Sequence, residues 1–331
     1  MSIPQSLKTV MQQNRTILAA YSRYINYTPR FITTEMVEDL ARDCDCPTHD
    51  AYLLLLAAAM GLDTVDDKEH RLLDRLYIQS GVTRLDPAIY QNDEYRKTIR
   101  FPAQKMGKWE TVMGKYEAFE PFARRDPILL SDFREIPQIG YFEKAFEFPA
   151  IHENGVEWMS VKPNEVETMK APIQRSHGRV LTLGLGMGYF AFHASQKEDV
   201  ESVTVIEREP DVIALFKEHI LPQFPHKEKI NVLQADALVF LAQKSVNGSF
   251  DYLFADLWHD ASDGLELYQR LKRLEPNLGE IPVDYWIEDS LLSYLRGMVF
   301  DKLCDPASPL KLAGVRHEEL LSNEFLKTLK L

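Results

Sequence analysis

From Arg179 to Asp289 short apolar runs alternate with helix-period segments, and this texture constrains the fold more than any other feature of the chain. "RVLTLG", "ESVTVIE", "KINVLQAD", "FDYLFADLW" and "VDYWIED" read as strands. "GYFAFHASQK", "EPDVIALFKEHIL", "DALVFLAQK" and "GLELYQRLKRLE" read as the helices between them. Apolar strands without clean in–out alternation, separated by helices, make a parallel sheet covered on both faces. The expected fold is therefore α/β and Rossmann-like. Sheets of this kind take ligands outside the carboxyl ends of their strands, near the point where strand order reverses.

The first strand runs into a turn with Gly184, Gly186 and Gly188. Glycine there lets the backbone bend sharply and lets a ligand approach the amides at the following helix. The dinucleotide fingerprint G-x-G-x-x-G needs a glycine where Tyr189 stands, which argues against a nicotinamide cofactor. Glu207 closes the second strand, about twenty residues on, where an acid can accept hydrogen bonds from both hydroxyls of a ribose. Asp236 closes the third strand. Its carboxylate can reach an adenine amino group, cap the helix that starts at Ala237, or do both.

The fourth strand begins at Asp251, read as structural, and ends at Asp256, on the side where a reactive group would lie. A carboxylate at Asp256 can hold an amine and take its proton. Trp258 and His259 follow: the first flanks a substrate or simply packs, the second is an additional base or an ordinary surface histidine. Before the first strand, "EWMSVKPNEVETMKAPI" offers Glu165 or Glu167 as an acid closing over the pocket, or as a helix-start acid complementing the helix dipole.

"VLTLGLGMGYFAFHAS", "VTVIEREPDVIALFKEHI", "INVLQADALVFL" and "FDYLFADLWHD" together resemble the spermidine synthase-like branch of the class I S-adenosylmethionine-dependent methyltransferase superfamily. The resemblance spans about Asn154 to Asp289. It implies that Gly184, Gly186 and Gly188 pass the methionine part of the cofactor. Glu207 would hold the ribose, Asp236 with Ala237 the adenine side, and Asp256 the acceptor. The chain departs from aminopropyltransferases at Met187, where they carry an aspartate, and at "DLWHD", which lacks their proline. Thr182 stands where many methyltransferases carry an acid. The segment around Glu165 is also similar to one preceding the first strand in small guanidino methyltransferases.

The first 135 residues carry helix-period patterns: "TTEMVEDLARD", with Met36, Val37 and Leu40 on one face; "THDAYLLLLAAAMGL"; and "DKEHRLLDRLYIQSG", with a terminal glycine suited to a C-cap. A hairpin with its turn at "HENG" follows. Texture thus divides the chain into a helical domain (1–135), a β-hairpin linker (136–162) and the Rossmann-like cofactor-binding domain (163–331). The net charge of −12, with basic clusters such as Arg124–Arg125 and Arg270–Arg273 flanked by acids, argues against nucleic acid. Three cysteines, Cys44, Cys46 and Cys304, make neither a disulfide framework nor a metal motif. Leader-type and bilayer-length apolar runs are not found, so the expectation is a cytoplasmic protein without a membrane partner. The activity expected is methyl transfer to a small-molecule or peptide acceptor, with nitrogen as the nucleophile and a homodimer left open. Aminopropyl transfer from decarboxylated S-adenosylmethionine and a non-catalytic binding role are the rivals.

Overall fold

In a computed structural model of the chain, residues 3–101, 105–243, 246, 248–305 and 315–329 are described. The strands, in chain order, are β1 (Val82–Arg84), β2 (Lys105–Met106), β3 (Trp109–Tyr116), β4 (Phe122–Leu129), β5 (Glu135–Tyr141), β6 (Phe146–Glu153), β7 (Val156–Ser160), β8 (Gly178–Leu183), β9 (Val200–Glu207), β10 (Ile230–Gln234), β11 (Tyr252–Ala255) and β12 (Val283–Tyr285). Contacts divide the chain into two compact units, one of residues 1–87, 115–147 and 292–326, the other of 88–114, 148–291 and 327–331. The segments expected from texture are consecutive along the chain; these units are not.

The second unit holds the five-stranded sheet, in the order β10-β9-β8-β11-β12, with every adjacent pair parallel. All five strands expected from the sequence are present. The order reverses between β8 and β11, so the ends of those two strands frame the switch point. Val180, Leu181 and Leu183 of β8 and Tyr252 to Ala255 of β11 are fully buried, because helices cover both faces. Those helices are Pro163–Arg175, Tyr189–Ser195, Pro210–Leu215, Ala237–Gln243 and Ala261–Leu274. Lys244, the last residue of the expected "DALVFLAQK" helix, lies outside the described residues. β6 and β7 form the expected hairpin, turning through Asn154 and Gly155, both with positive φ as a tight two-residue turn demands. They belong to a sheet of order β2-β3-β6-β7.

The first unit is mainly helical, as expected, with Gln5–Tyr27, Thr34–Asp43 and Thr48–Ala59 as its main early helices. Thr33 caps the second by accepting from the Met36 amide at 3.3 Å, and Val37 is buried on its inner face. The core joins Ile17, Tyr21, Tyr52, Leu56, Tyr77 and Tyr141. Strand β5 pairs with β1 on one side and β4 on the other, so this unit also carries a small sheet that helix-period patterns did not foretell. Gly81 is not the left-handed C-cap expected of it. A Cβ there would stand 2.3 Å from the Pro137 carbonyl oxygen, so the close backbone approach, not helix capping, calls for glycine. No helix among the described residues is long and apolar enough to cross a membrane.

Candidate functional site

The turn after β8 is built from three left-handed glycines with three different neighbourhoods. Gly184 has φ +94°, and a Cβ on it would collide with the Asp256 carbonyl oxygen at 1.9 Å. Gly188, φ +79°, starts the helix Tyr189–Ser195, and a Cβ on it would meet the Phe216 ring at 2.5 Å. Gly186 also has positive φ, +52°, but a Cβ on it would meet nothing within 4 Å. Gly184 and Gly188 are thus small because protein crowds them, whereas Gly186 borders open space. That space is a cavity of about 260 Å³ outside the carboxyl ends of β8, β9, β10 and β11.

Glu207 is fixed at the edge of this cavity by three backbone amides. The Leu185 amide donates to Oε2 at 3.1 Å; those of Arg208 and Glu209 donate to Oε1 at 2.8 and 2.9 Å. Oε1 thus has both lone-pair sites filled, while Oε2 keeps one for a ligand hydroxyl. Asp236 accepts from the Val239 amide at 2.9 Å, capping its helix, while remaining exposed on the cavity wall; Ala237 beside it is buried and lines the same wall. The two roles left open for Asp236 are compatible.

The same cavity is lined by Asp256, just past β11 and beside Gly184, and by Glu165, in the first turn of the helix Pro163–Arg175. Both are half-buried, and neither carboxyl has a hydrogen bond or ion pair among the described residues. Burial, then repulsion from Glu165 and Glu207, holds Asp256 well above the usual carboxylate range. Glu165 is pushed up to about 7 by burial, against the pull of Lys162. Lys162 itself is taken by Glu157 at 2.8 Å. With Glu165 and Glu207 near it, Asp256 gives up its proton less readily than an ordinary aspartic acid.

The parallel order and the placement of the cavity at the switch point make this domain Rossmann-like. No protein-family profile matches the chain, and no curated protein sequence does. Among solved structures, the chain is similar to a precorrin 8w decarboxylase from Methanobacterium thermoautotrophicum, at 17% identity over 33% of this chain and 54% of that one, TM-score 0.26. It is similar to a precorrin-6y C5,15-methyltransferase from Geobacter metallireducens, at 15% identity over 37% and 60%, TM-score 0.28. A spermidine synthase from Thermotoga maritima matches at 14% identity over 45% and 59%, TM-score 0.32. The chain therefore spans less than two thirds of each of these proteins. TM-scores this low say nothing of a site; the sheet order and the cavity stand on their own geometry.

Of the two glutamates offered by "KPNEVE", Glu165 lines the cavity, while Glu167 is buried and bonded to the Tyr90 hydroxyl and Lys170. Trp258 is buried at the cavity wall, donating Nε1 to the Trp286 carbonyl at 3.2 Å, with Gly264 against its ring. His259 lies at the rim, its Nδ1 2.8 Å from Asp263 and its ring edge-on to Trp158. Asp251 is structural, as read: Arg179 grips it through the guanidinium at 3.0 Å and the backbone amide at 2.8 Å, which holds its pKa down to about 2.

Sequence reasoning missed the brace behind the glycine turn. The Tyr95 hydroxyl donates to the Met187 carbonyl, and its ring packs edge-on against Tyr189 and Phe192. Asp93 accepts from the Tyr189 hydroxyl at 2.9 Å and faces His193 Nε2 at 3.3 Å. Burial opposes the charge on Asp93, but the bonds from His193 and Tyr189 keep it below the usual carboxylate range. The only sequence signal was Asp93 itself, a capping-type residue before "EYRKT".

Proposed function

We propose that the cavity binds S-adenosylmethionine and that the protein transfers the methyl group to a nucleophile, a nitrogen, of a small-molecule or peptide acceptor. The observation that carries this reading is the unpartnered Asp256–Glu165 pair lining the same cavity as an open-sided glycine turn at the switch point. The residues present fit such a cofactor. Gly186 leaves room beside the turn, and Glu207 Oε2 retains acceptor capacity for a ribose hydroxyl. Asp236 and Ala237 stand on the adenine side, and the acids suit a cation. When bound, the cofactor supplies a methyl group already activated by its sulfonium charge.

The chain's own contribution is positioning and proton handling. Tyr95 and Asp93 hold the glycine turn from behind, so its amides keep one orientation. Asp256 orients an incoming ammonium and, with Glu165, takes its proton, leaving a neutral amine whose lone pair can attack. Trp258, Trp286 and Phe254 wall the cavity with apolar surface and limit water. Holding acceptor and donor in line accounts for most of the expected rate gain. His259 stands at the rim with Nδ1 2.8 Å from Asp263, an arrangement that orients the ring and leaves Nε2 for a role as a second base.

Incorporation of labelled methyl from S-adenosylmethionine into a panel of amines tests the reading. Wild type should label at least one amine, and D256N should lower turnover by roughly 10²–10⁴-fold with S-adenosylhomocysteine still bound. Equal turnover in D256N would overturn the assignment of Asp256. The acid-rich wall also fits aminopropyl transfer to a polyamine, although Met187 occupies the turn; preferential use of the decarboxylated donor would select that reading. Ligand binding without any turnover would indicate a binding protein.

A further inference from the structure

Three of the four tryptophans of the chain, Trp158, Trp258 and Trp286, line the same cavity as the unpartnered acids. Trp286 follows β12 directly, and its amide bonds the Ala255 carbonyl at 2.9 Å, one residue before Asp256. Its indole N–H donates to Thr168 Oγ1 at 2.8 Å. Thr168 sits three residues beyond Glu165 on the same helix, hence on the same face one turn away. Trp286 is therefore tied at one end to the strand of Asp256 and at the other to the helix of Glu165. Trp258 donates its N–H to the Trp286 carbonyl, so its polar edge is satisfied within the protein and one ring face is backed by Gly264. Trp158, on β7, closes the rim edge-on to His259, with ring centroids 4.4 Å apart.

With the N–H groups of Trp258 and Trp286 bonded within the protein, these two rings offer the cavity carbon rather than donors, beside the carboxyls of Asp256 and Glu165. Lys162, which pulls on Glu165 from a distance, is ion-paired with Glu157, and among the described residues neither Asp256 nor Glu165 has an ion pair. Aromatic faces attract organic cations through the ring quadrupole, best when the cation is weakly hydrated, as an alkylated ammonium is and a bare ammonium is not. We propose that the acceptor end of this cavity is selective for an N-alkylated ammonium group, so that the acceptor is a secondary or tertiary alkylamine rather than an unsubstituted one. The inference rests on the methyl-transfer reading. In each transfer the ammonium proton passes to the Asp256–Glu165 pair and the nitrogen lone pair forms the new N–C bond. The C–S bond breaks with its pair left on the donor's sulfur, and the product nitrogen is again a cation carrying one more methyl group. The product is then a better ligand for the same aromatic wall than the substrate was.

Calorimetric titration of the full chain saturated with S-adenosylhomocysteine separates this inference from the reading beneath it, because that ligand carries no sulfonium charge. The probes are choline, its uncharged isostere 3,3-dimethylbutan-1-ol, and ammonium chloride. Choline should bind at least about tenfold more tightly than either of the others, and W286F and, separately, W158F should weaken choline binding about three- to tenfold, in line with the strength of cation–aromatic contacts, a loss larger than either causes for S-adenosylhomocysteine or for the uncharged isostere. Two Trp→Phe variants on different elements keep the test open should one fail to fold. Equal binding of choline and its isostere, or no choline binding to the S-adenosylhomocysteine complex, would overturn the inference and leave the cofactor reading standing. Failure of S-adenosylhomocysteine to bind would instead overturn the cofactor reading.

Discussion

Asp256 and Glu165 are ordinary carboxylates in an unfolded chain and unusual ones in the fold, so their cost is legible in a pH titration. Burial raises both above their ordinary range of about 4, Glu165 to about 7, and repulsion adds to it, from Glu165 and Glu207 on Asp256 and from Glu157 on Glu165. A group whose pKa rises on folding keeps its proton longer in the fold. Its contribution therefore favours the folded state at low pH and is lost as pH climbs from about 4 through about 7. Urea denaturation should show wild type losing more stability than E165Q between about pH 5 and about pH 8; identical pH profiles would contradict the raised pKa of Glu165. A bound cation reverses the balance, so S-adenosylmethionine should bind with proton release near neutral pH and more tightly as pH rises. At this scale the sequence was informative where chemistry and strand ends coincide. Glu207, Asp236 and Asp256 each close a strand, and a strand end in an alternating α/β pattern points at the site. It could not choose between Glu165 and Glu167. That choice depends on helical phase, which Pro163 at the helix start sets, and two residues on the phase turns Glu167 into Tyr90 and Lys170.

The glycine turn shows how one motif serves separate physical ends. Ala at Gly184 puts a methyl group into the Asp256 carbonyl oxygen and should cost well over 2 kcal/mol, since the left-handed backbone alone costs roughly 1–2 kcal/mol for an L-residue. Ala at Gly186 should cost only that roughly 1–2 kcal/mol in thermal or urea denaturation, because its methyl meets no protein atom, yet it should weaken S-adenosylhomocysteine binding about tenfold or more. If G186A binds as wild type does, the space beside the turn is not the cofactor's. Y95F removes one hydrogen bond to the Met187 carbonyl and should weaken cofactor binding with a stability loss of about 1 kcal/mol. The turn was readable because glycine spacing is local. Its brace was not, because Asp93 and Tyr95 meet the turn across more than ninety residues of chain. β3 escaped notice for a related reason: Gly114 breaks its pattern, and only the fold reveals that the Phe148 ring fills the place of its Cβ, at 2.4 Å.

Across the whole molecule the chain passes between its two compact units several times, so neither is a continuous stretch of sequence. In the first unit this makes one buried ion pair decisive. Arg296 and Glu135, 1% and 3% exposed, bond directly, with Ser293 on Glu135 at 2.8 Å and the Leu321 carbonyl on Arg296 Nε at 2.8 Å. R296M leaves Glu135 buried without its partner and should lower unfolding free energy by about 3–5 kcal/mol in chemical denaturation. A loss under about 1 kcal/mol would mean that the pair is dispensable. Texture resolved the Rossmann-like domain because each βα repeat is local, whereas partners such as Glu135 and Arg296 are joined only by the fold. Calorimetric titration of the purified protein decides whether the cavity at the switch point takes an adenosyl cofactor. The ligands are S-adenosylmethionine, S-adenosylhomocysteine, decarboxylated S-adenosylmethionine and the oxidised nicotinamide dinucleotide. Micromolar binding of the first two, with none of the dinucleotide, is the predicted result. Silence from all the adenosyl ligands would rule out that cofactor and reduce the glycine turn to a structural bend.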